Sequence, residues 1–361
     1  MKKTIVMLLI AAMAGSVLTG CGGASEAATA QTEAASREDE TRSGEEAEPP
    51  EESGAGETAE SGAKDTGAEQ EASDEVSEDD DENYDTGDAA KDDPRNSDDI
   101  GEKELLVVSF GTSYNDSRRE TIGAIEQALE DAYPDWSVRR AFTSQMIIDH
   151  VYKRDGVKID NVEEALERAE ANGVKQLVVQ PTHIMDGFEY NDLMELIASY
   201  SDAFESVAVG DPLLSGDDDF DKVAEALHDA TASLDDGKTA VCFMGHGTEA
   251  DSNAVYERMQ KVFEEKGYKN YYIGTVEASP GIDDIVKALE GKGYERAVLR
   301  PLMVVAGDHA NNDMAGDEDD SWKSILEKAG YEVTPVLEGL GQLPDIRNIY
   351  ISHAAKAMEG K

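Results

Sequence analysis

Three side chains that could hold a divalent metal follow apolar runs of the sequence. His246 stands between two glycines, Glu277 follows a second run, and His309 follows a third run in an acidic segment. Apolar runs of this kind are typical of buried strands, and in open α/β sheets ligands bind just beyond the carboxyl ends of the strands. These residues therefore predict a metal-handling site. A histidine that binds a metal must be neutral, and either Asp308 or Asp313 could orient His309 for that purpose.

Short apolar runs alternate with amphipathic segments from residue 105 onward. This alternation predicts βαβ units and an α/β fold, with parallel sheet covered by helices on both faces. The predicted strands are Leu105–Phe110, Ser137–Ala141, Gln176–Gln180, Ser206–Val209, Ala240–Met244, Tyr271–Gly274, Arg296–Met303 and Glu332–Val336. The predicted helices are Arg118–Asp131, Val162–Asn172, Asp192–Phe204, Phe220–Leu234, Ala254–Lys266, Ile282–Lys292, Ser321–Lys328 and Pro344–Met358.

The same pattern runs twice along the chain. Two similar α/β halves joined near residue 237 would leave a cleft between them, and clefts of this kind are where small molecules usually bind. His183 lies in the loop of the first half that corresponds to the loop of His309 in the second half, so we expect it near the cleft. The repeated stretches are 106–112 with 240–248, and 177–187 with 298–307.

The first residues of the chain have the form of an export signal. Lys2 and Lys3 precede a short apolar stretch, which is typical of a signal peptide rather than of a membrane span. The stretch ends in Leu18-Thr19-Gly20-Cys21, which resembles a bacterial lipobox. We predict a lipoprotein signal peptide over residues 1–20 and a lipidated Cys21 that anchors the exported protein at the outer face of the cell membrane. An ordinary secretory signal is the alternative.

Residues 21–101 are predicted to form a disordered acidic linker. From residue 22 to residue 101 the sequence has 28 acidic and 5 basic side chains, a net charge of −23. Such a segment cannot bury enough apolar surface to offset the entropy cost of ordering. We interpret it as a solvated tether, with a metal-buffering tail as the alternative. Two folded halves are expected to follow, at 102–236 and at 237–361, and the second carries the predicted metal site.

Composition excludes several classes of function. From residue 102 to the end there are 51 acidic and 25 basic side chains, which argues against nucleic acid as a partner. The chain has no Walker loop, GxGxxG, HExxH or GxSxG motif, so a bound nucleotide, a zinc protease and a serine hydrolase have little support. Cys242 lies in an apolar strand and is expected in the core, with no disulfide partner if Cys21 is lipidated.

Once these residues are assembled, the chain resembles the anaerobic-type sirohydrochlorin cobalt chelatases, which are class II chelatases. The resemblance covers residues 103–355, with long motifs in the order of the family. The matching stretches are Val108–Ser113, Arg140–Ser144, Gln180–Ile184, Gly245–Gly247, Val276–Glu277, Pro301–His309, Asn312–Asp317 and Ser321–Lys323.

The resemblance implies two flavodoxin-like halves that hold a tetrapyrrole between them, and insertion of Co(II) into sirohydrochlorin without ATP, a step of cobalamin biosynthesis. His246, Glu277 and His309 correspond to the metal-binding positions of the family. Two imidazoles and one carboxylate suit Co(II), Fe(II) or Ni(II) and leave coordination positions open. Metallation releases two pyrrole protons, and we assign His246 as a proton acceptor, with the ligand and base roles sequential or split between the two histidines.

The tetrapyrrole carries many carboxylates, so basic and hydroxyl side chains near the cleft are candidates to bind it. The predicted substrate-binding residues are Ser109, Thr112, Arg140 and His183, and further candidates to offset the substrate charge are Arg118, Arg119, Arg139 and Lys153.

An export signal is unexpected for an enzyme whose tetrapyrrole is made in the cytoplasm, so two other functions stay open. The cleft could capture a tetrapyrrole or a metal without turnover, as a surface-binding lipoprotein or a metallochaperone. Alternatively, the protein could be a chelatase that acts with Fe(II) or Ni(II). Assembly into a homo-oligomer is also left open.

Overall fold

Two four-stranded parallel sheets form the framework of the protein. In the computed structural model, residues 86–98 and 101–360 are described. The first sheet has the order β2-β1-β3-β4 and the second has the order β6-β5-β7-β8, so both halves use the same strand order. The strands are β1 Lys103–Ser109, β2 Ser137–Phe142, β3 Gln176–Pro181, β4 Ser206–Val209, β5 Thr239–Gly245, β6 Tyr271–Thr275, β7 Arg296–Pro301 and β8 Glu332–Pro335.

Ten α-helices accompany these sheets in the described part of the chain. Short 3₁₀ turns and one π-helical turn, Ala310–Met314, complete the structure. The helices are α1 Asn115–Glu120, α2 Ile122–Ala132, α3 Gln145–Asp155, α4 Val162–Ala171, α5 Phe188–Ser199, α6 Asp217–Thr231, α7 Ala254–Lys266, α8 Ile282–Leu289, α9 Trp322–Lys328 and α10 Pro344–Met358.

The central strands are apolar because helices cover both of their faces. All seven residues of β5 are buried, and in β1 every residue after Lys103 is buried. A strand buried on both faces gains hydrophobic free energy from a continuous apolar run rather than from alternation. The predicted α/β fold class with two similar parallel-sheet halves is therefore confirmed, and each predicted strand overlaps an observed one.

The helix predictions differ from the structure where periodicity is weak. The sequence patterns do not predict α3, and only Ile148 and Val151 of this helix are buried. Local signals define it instead, since Ser144 caps its first turn and Gly156 ends it in a left-handed conformation with φ +68°. The predicted helix from Arg118 is divided at Thr121 into α1 and α2.

The last helix returns to the first half of the protein. Tyr350 of α10 donates a hydrogen bond to the Thr182 carbonyl at 2.7 Å, and the His353 Nδ1 atom lies 3.1 Å from the Asp211 carbonyl oxygen. Both side chains are almost fully buried. Helix α10, which follows the second sheet in the chain, thus packs beside β3 of the first sheet. The predicted division of the chain at residue 237 stays a prediction.

Residues 86–98 are packed against the first half, although they fall in the range predicted as a disordered linker. The Thr86 carbonyl accepts a hydrogen bond from the Asp116 amide at 2.8 Å, and the Arg95 carbonyl accepts one from the Arg140 amide at 3.3 Å. Cys21 and the predicted signal peptide lie outside the described residues. Within the described ranges, none of the helices has the length and apolar character that a membrane crossing requires.

Candidate metal centre

His246, Glu277 and His309 come together at one edge of the second sheet. Each follows one of three adjacent strands, β5, β6 and β7, whose carboxyl ends share that edge because the strands are parallel. One ligand atom from each side chain lies within 4.8 Å of the others. Two ligands on opposite sides of a transition metal are about 4 Å apart, so a small side-chain rotation would let all three bind one cation.

Close backbone packing fixes the loops of His246 and Glu277 to each other. The Glu277 amide donates a hydrogen bond to the His246 carbonyl at 2.9 Å. Gly247 has φ +94°, and a Cβ atom there would lie 2.8 Å from the Ala278 nitrogen. Only glycine fits this combination of a left-handed conformation and a crowded neighbour. The second glycine of the Gly-His-Gly motif is therefore a requirement of the loop contact.

The orientation of His246 follows from its local hydrogen bond. Its Nδ1 atom lies 2.9 Å from the Gly247 carbonyl oxygen and 3.7 Å from Oε2 of Glu277. A carbonyl only accepts hydrogen bonds, so the proton of the neutral ring is on Nδ1 and the lone pair is on Nε2. His246 thus offers Nε2 as its metal-binding or proton-accepting atom.

Asp313, rather than Asp308, orients His309. The Nδ1 atom of His309 lies 2.8 Å from Oδ2 of Asp313, one π-helical turn later, whereas Asp308 accepts a hydrogen bond from Asn312 at 2.7 Å. A carboxylate on Nδ1 fixes the ring tautomer and makes Nε2 more basic. The sequence left both carboxylates open, and the pairing in this turn distinguishes them.

The three side chains are accessible to a ligand. Their exposed fractions are 37% for His246, 36% for Glu277 and 19% for His309. The two imidazole rings lie edge to face, with centroids 4.7 Å apart and an angle of 81° between their planes. Both rings and the Glu277 carboxylate can therefore be reached from solvent.

Loops of the first half lie close to the loop that carries His309. A Cβ atom on Gly307 would be 3.0 Å from Oγ1 of Thr112, and the Ala306 amide donates a hydrogen bond to Oγ of Ser117 at 3.0 Å. Thr112, predicted to bind substrate, is thus beside the metal-bearing loop. Ser109 is buried, and its Oγ accepts a hydrogen bond from Thr182 at 2.8 Å.

His183 lies in the corresponding loop of the first half, after β3. Its side chain is 7% exposed, and neither ring nitrogen has a hydrogen-bond partner among the described residues. Burial lowers the pKa of His183 to about 4, so the imidazole is neutral at physiological pH. Its Nε2 atom is 3.8 Å from a carboxylate oxygen of Glu189.

Arg140 is buried, as are the side chains of Ser109, Thr112 and His183, but it differs from them in its ion pairs. Its side chain pairs with Glu126 and with Asp92, each at 2.7 Å. Arg118, another candidate to offset substrate charge, is also buried and pairs with Asp92 at 2.7 Å. The structure therefore places both guanidinium groups in an internal ion-pair network and not among the side chains around the metal ligands.

Two residues that support the site were not found from the sequence. Tyr256 of α7 accepts a hydrogen bond from the Gly247 amide at 3.3 Å and packs against Gly245. Asn253 accepts from the Thr248 amide and donates to the Ser279 carbonyl, both at 3.1 Å, and so joins the loops that follow β5 and β6. A tyrosine or an asparagine at the start of a helix carries no sequence signal for such a role.

Comparisons with known proteins agree on one family. The family model described as cobalt chelatase (CbiK) matches residues 103–359. The sirohydrochlorin cobaltochelatase of Salmonella typhimurium (strain LT2) is 39% identical over 256 residues, with 71% of this chain and 96% of that protein covered. The sirohydrochlorin cobaltochelatase CbiKC of Nitratidesulfovibrio vulgaris (strain Hildenborough) is 33% identical over 261 residues, with 71% and 90% covered.

A likeness in three dimensions supports the fold. The solved structure of SirB from Bacillus subtilis with Fe3+ has a TM-score of 0.51 to this chain at 12% identity, covering 72% of this chain and 98% of that one.

Proposed function

The chain belongs to the cobalt chelatase (CbiK) family, and on that basis we propose that it is a sirohydrochlorin cobaltochelatase, a lyase that inserts Co(II) into the tetrapyrrole. The observation that carries this proposal is the convergence of His246, Glu277 and His309, with ligand atoms within 4.8 Å, at an accessible edge of the second sheet. Two imidazoles and one carboxylate bind Co(II) and leave coordination positions open for pyrrole nitrogens. Fe(II) and Ni(II) suit the same ligands and are the alternative metals.

We assign the three side chains distinct parts in the reaction. Glu277 and His309 hold the arriving Co(II), since Asp313 keeps Nε2 of His309 basic. The Nδ1 atom of His246 lies within hydrogen-bond distance of the Gly247 carbonyl oxygen. The Nε2 atom of His246 accepts a proton from a pyrrole nitrogen. A histidine cannot bind a metal and a proton through the same nitrogen at once, so Glu277 and His309 hold the metal while His246 takes the proton.

The overall reaction is balanced without a nucleotide. Co(II) replaces two pyrrole N–H protons, so the inserted charge equals the charge released. The Co–N bonds form as the two N–H bonds break, and the protons leave through His246 and solvent. Ser109, Thr112 and His183 of the first half are proposed to contact the tetrapyrrole across the cleft, and the neutral imidazole of His183 would add no charge there.

The location and assembly of the protein stay predictions. The lipobox-like Leu18-Thr19-Gly20-Cys21 supports an exported protein with a lipid anchor on Cys21. Membrane attachment and the number of subunits are separate questions from the chemistry of the site.

Turnover in vitro tests the proposed function. Purified protein, anaerobic sirohydrochlorin and Co(II) are followed by absorbance, beside a reaction without protein. We expect catalytic formation of the cobalt product. His246→Ala and His309→Ala should lower the rate by about 100-fold or more, because each removes a ligand or a proton acceptor.

His228→Ala is the matched control, since His228 lies in α6 and stacks on Tyr268 away from the three ligands. It should retain the wild-type rate. A stoichiometric change of the spectrum without turnover would instead indicate a tetrapyrrole-binding protein, and Co(II) binding with no effect of the tetrapyrrole would indicate a metallochaperone.

A further inference from the structure

Residues 86–98, called the arm below, precede the part of the chain that matches the family. The family model begins at residue 103. The arm nevertheless packs along the first half, and in addition to its backbone contacts Asn96 donates a hydrogen bond to the Lys158 carbonyl at 2.8 Å. Arg95 pairs with Glu130 at 3.1 Å. The arm is thus joined to β2, α1, α2 and the loop after α3.

The main contact of the arm is a buried carboxylate. Asp92 is 4% exposed, and its Oδ2 accepts hydrogen bonds from Nε of Arg118 and from a terminal nitrogen of Arg140, both at 2.7 Å. Its Oδ1 accepts a third hydrogen bond from Arg140 at 3.0 Å. Burial favours the neutral form of Asp92, but these hydrogen bonds and charges hold its pKa below the usual value.

Charge balance in the first half depends on the arm. The guanidinium groups of Arg118 and Arg140 are 0% and 1% exposed, and Asp92 forms ion pairs with both. Glu126 pairs with Arg140, and the charge of Asp155 also acts on Arg118. Without Asp92, Arg140 would keep Glu126, but Arg118 would lose its ion-pair partner at 2.7 Å. Leaving a buried charge without its partner is strongly unfavourable. The interior of this half therefore requires a carboxylate from outside the family match.

The same network reaches the loop beside the metal ligands. Arg118 donates to the Thr112 carbonyl at 3.1 Å and to Oδ1 of Asn115. The Thr112 side chain in turn lies against Gly307, two residues before His309. Contacts thus run without interruption from Asp92 through Arg118 and Thr112 to the loop that carries a metal ligand.

We propose that Asp92 is a positioning residue for the metal-insertion reaction, because it fixes Arg118 and through it the loop of Thr112 against the loop of His309. The catalytic unit of this protein then includes Asp92, which lies in the range predicted as the acidic linker. The proposal rests on the proposed chelatase function where it is tested by kcat. Its test by hydrogen exchange depends only on the contacts in the structure.

Chemical rescue provides the kinetic test. Asp92→Gly in the full chain should lower kcat about tenfold or more, since small displacements near reacting groups have large effects on rate. The Kd of Co(II), measured by titration without tetrapyrrole, should change less than kcat does, because none of the three metal ligands is replaced. Added formate should enter the vacated space between Arg118 and Arg140 and restore at least half of kcat.

Asp93→Gly is the matched control, since the Asp93 side chain accepts a local hydrogen bond from the Arg95 amide at 2.8 Å and lies at the exposed side of the arm. It should keep the wild-type kcat, and formate should not rescue His246→Ala. A wild-type kcat in Asp92→Gly, or a loss that formate does not restore, would overturn the proposal.

A double variant addresses the case in which Asp92→Gly does not fold. Asp92→Asn with Arg118→Gln leaves Arg140 balanced by Glu126, so the interior stays neutral, but the donor to the Thr112 carbonyl is lost. We expect this protein to fold and to show the same loss of kcat. A folded double variant with wild-type kcat would contradict the positioning role.

Hydrogen exchange separates this proposal from the proposed function. In the Asp92 variants the amides of 110–116 and 306–309 should exchange faster, whereas those of β8 should be unchanged. Unchanged exchange in both loops would refute the proposal even if the protein is a chelatase. If the wild-type protein shows no turnover but the Asp92 variants exchange faster in these loops, the contact between Asp92 and the two loops is supported and the proposed chelatase function is refuted.

Discussion

Burial shifts the pKa values of two side chains in opposite directions, and both shifts favour the neutral form. His183 is kept neutral because burial lowers its pKa to about 4. Glu104 at the start of β1 is fully buried, and neither of its carboxylate oxygens has a hydrogen-bond partner within the described ranges. Burial raises the pKa of Glu104 to about 7, although the charges of Arg168 and Arg139 offset part of the effect. The neutral imidazole of His183 is a proposed substrate contact, whereas burial of the Glu104 carboxylate without a hydrogen-bond partner destabilises the folded protein.

Glu104→Gln should stabilise the protein at alkaline pH. The unfolded chain releases the Glu104 proton near its ordinary pKa of 4.5, whereas the folded protein keeps it up to about pH 7. The folded state therefore binds more protons in this window, and its stability falls as the pH rises through it. Glutamine removes that loss, so the variant should gain up to about 3 kcal/mol in free energy of unfolding at pH 8 and little at pH 5.

Urea denaturation at both pH values measures this difference. Glu102→Gln is the control, because Glu102 is 68% exposed and pairs with Lys175 at the surface. It should change stability by less than about 1 kcal/mol at either pH. Equal effects of Glu104→Gln on the free energy of unfolding at pH 5 and pH 8 would contradict a raised pKa of Glu104.

At the scale of elements, loops rather than strands decide the shape of the site. The eight strands follow from apolar runs, but the positions of His246 and Glu277 depend on a loop contact that tolerates only glycine at 247. The segment of His309 forms a π-helical turn that brings Asp313 onto its ring. π-turns of this kind are often found at functional sites.

Gly247→Ala should damage the site more than a matched glycine substitution elsewhere. Gly267, which ends α7, also has a left-handed φ of +84°, but a Cβ atom there would meet no described atom within 4 Å, whereas one at Gly247 would meet Ala278. Gly267→Ala should cost about 1 kcal/mol from backbone conformation alone. Gly247→Ala should cost about 2–4 kcal/mol, because crowding adds to it.

The Co(II) affinity and the rate of metal insertion complete that comparison. Gly247→Ala should weaken both, since the contact that it disturbs lies between two metal ligands, and Gly267→Ala should leave both near wild type. Equal effects of the two substitutions on Co(II) affinity would show that the loop contact does not position the ligands.

At the scale of the whole molecule, the two halves have the same strand order but carry different candidate functional side chains. The second half carries the three proposed metal ligands, whereas the hydroxyl groups of Ser109 and Thr112 and the neutral imidazole of His183 in the first half are proposed substrate contacts. Helix α10 leaves the second half and buries Tyr350 and His353 beside β3. The two halves are thus tied together at several points.

Ser117→Ala tests one of these ties. Oγ of Ser117 accepts the hydrogen bond of the Ala306 amide, which lies three residues before His309. Loss of the acceptor leaves a partly buried N–H group unsatisfied and should reduce the free energy of unfolding by roughly 1–2 kcal/mol. The rate of metal insertion should fall severalfold as well, measured at a temperature where the variant is fully folded.

Ser199→Ala is a suitable comparison, because Oγ of Ser199 donates to Leu196 within the exposed end of α5. It should change neither quantity. A Ser117→Ala protein that is destabilised but fully active would show that this contact holds the halves together without shaping the metal site.

The strands, the repeat and the meeting place of the metal ligands follow from the amino-acid sequence. Apolar runs are buried in any fold of this class, and the carboxyl ends of adjacent parallel strands must share an edge, so His246, Glu277 and His309 were predictable from their positions after three runs. The family resemblance came from the same motifs. These inferences are local, since each depends on residues close together in the chain.

The pairing of buried polar groups, in contrast, follows from tertiary packing. Asp92 is 26 residues from Arg118 and 48 from Arg140 in sequence, and nothing in its acidic surroundings distinguishes it from its neighbours. The buried network holds Arg140, a predicted substrate contact, in internal ion pairs, and it packs 86–98 of the predicted linker against the first half. The physical reason is that charge pairing in an interior depends on distances in space, which composition and periodicity do not contain.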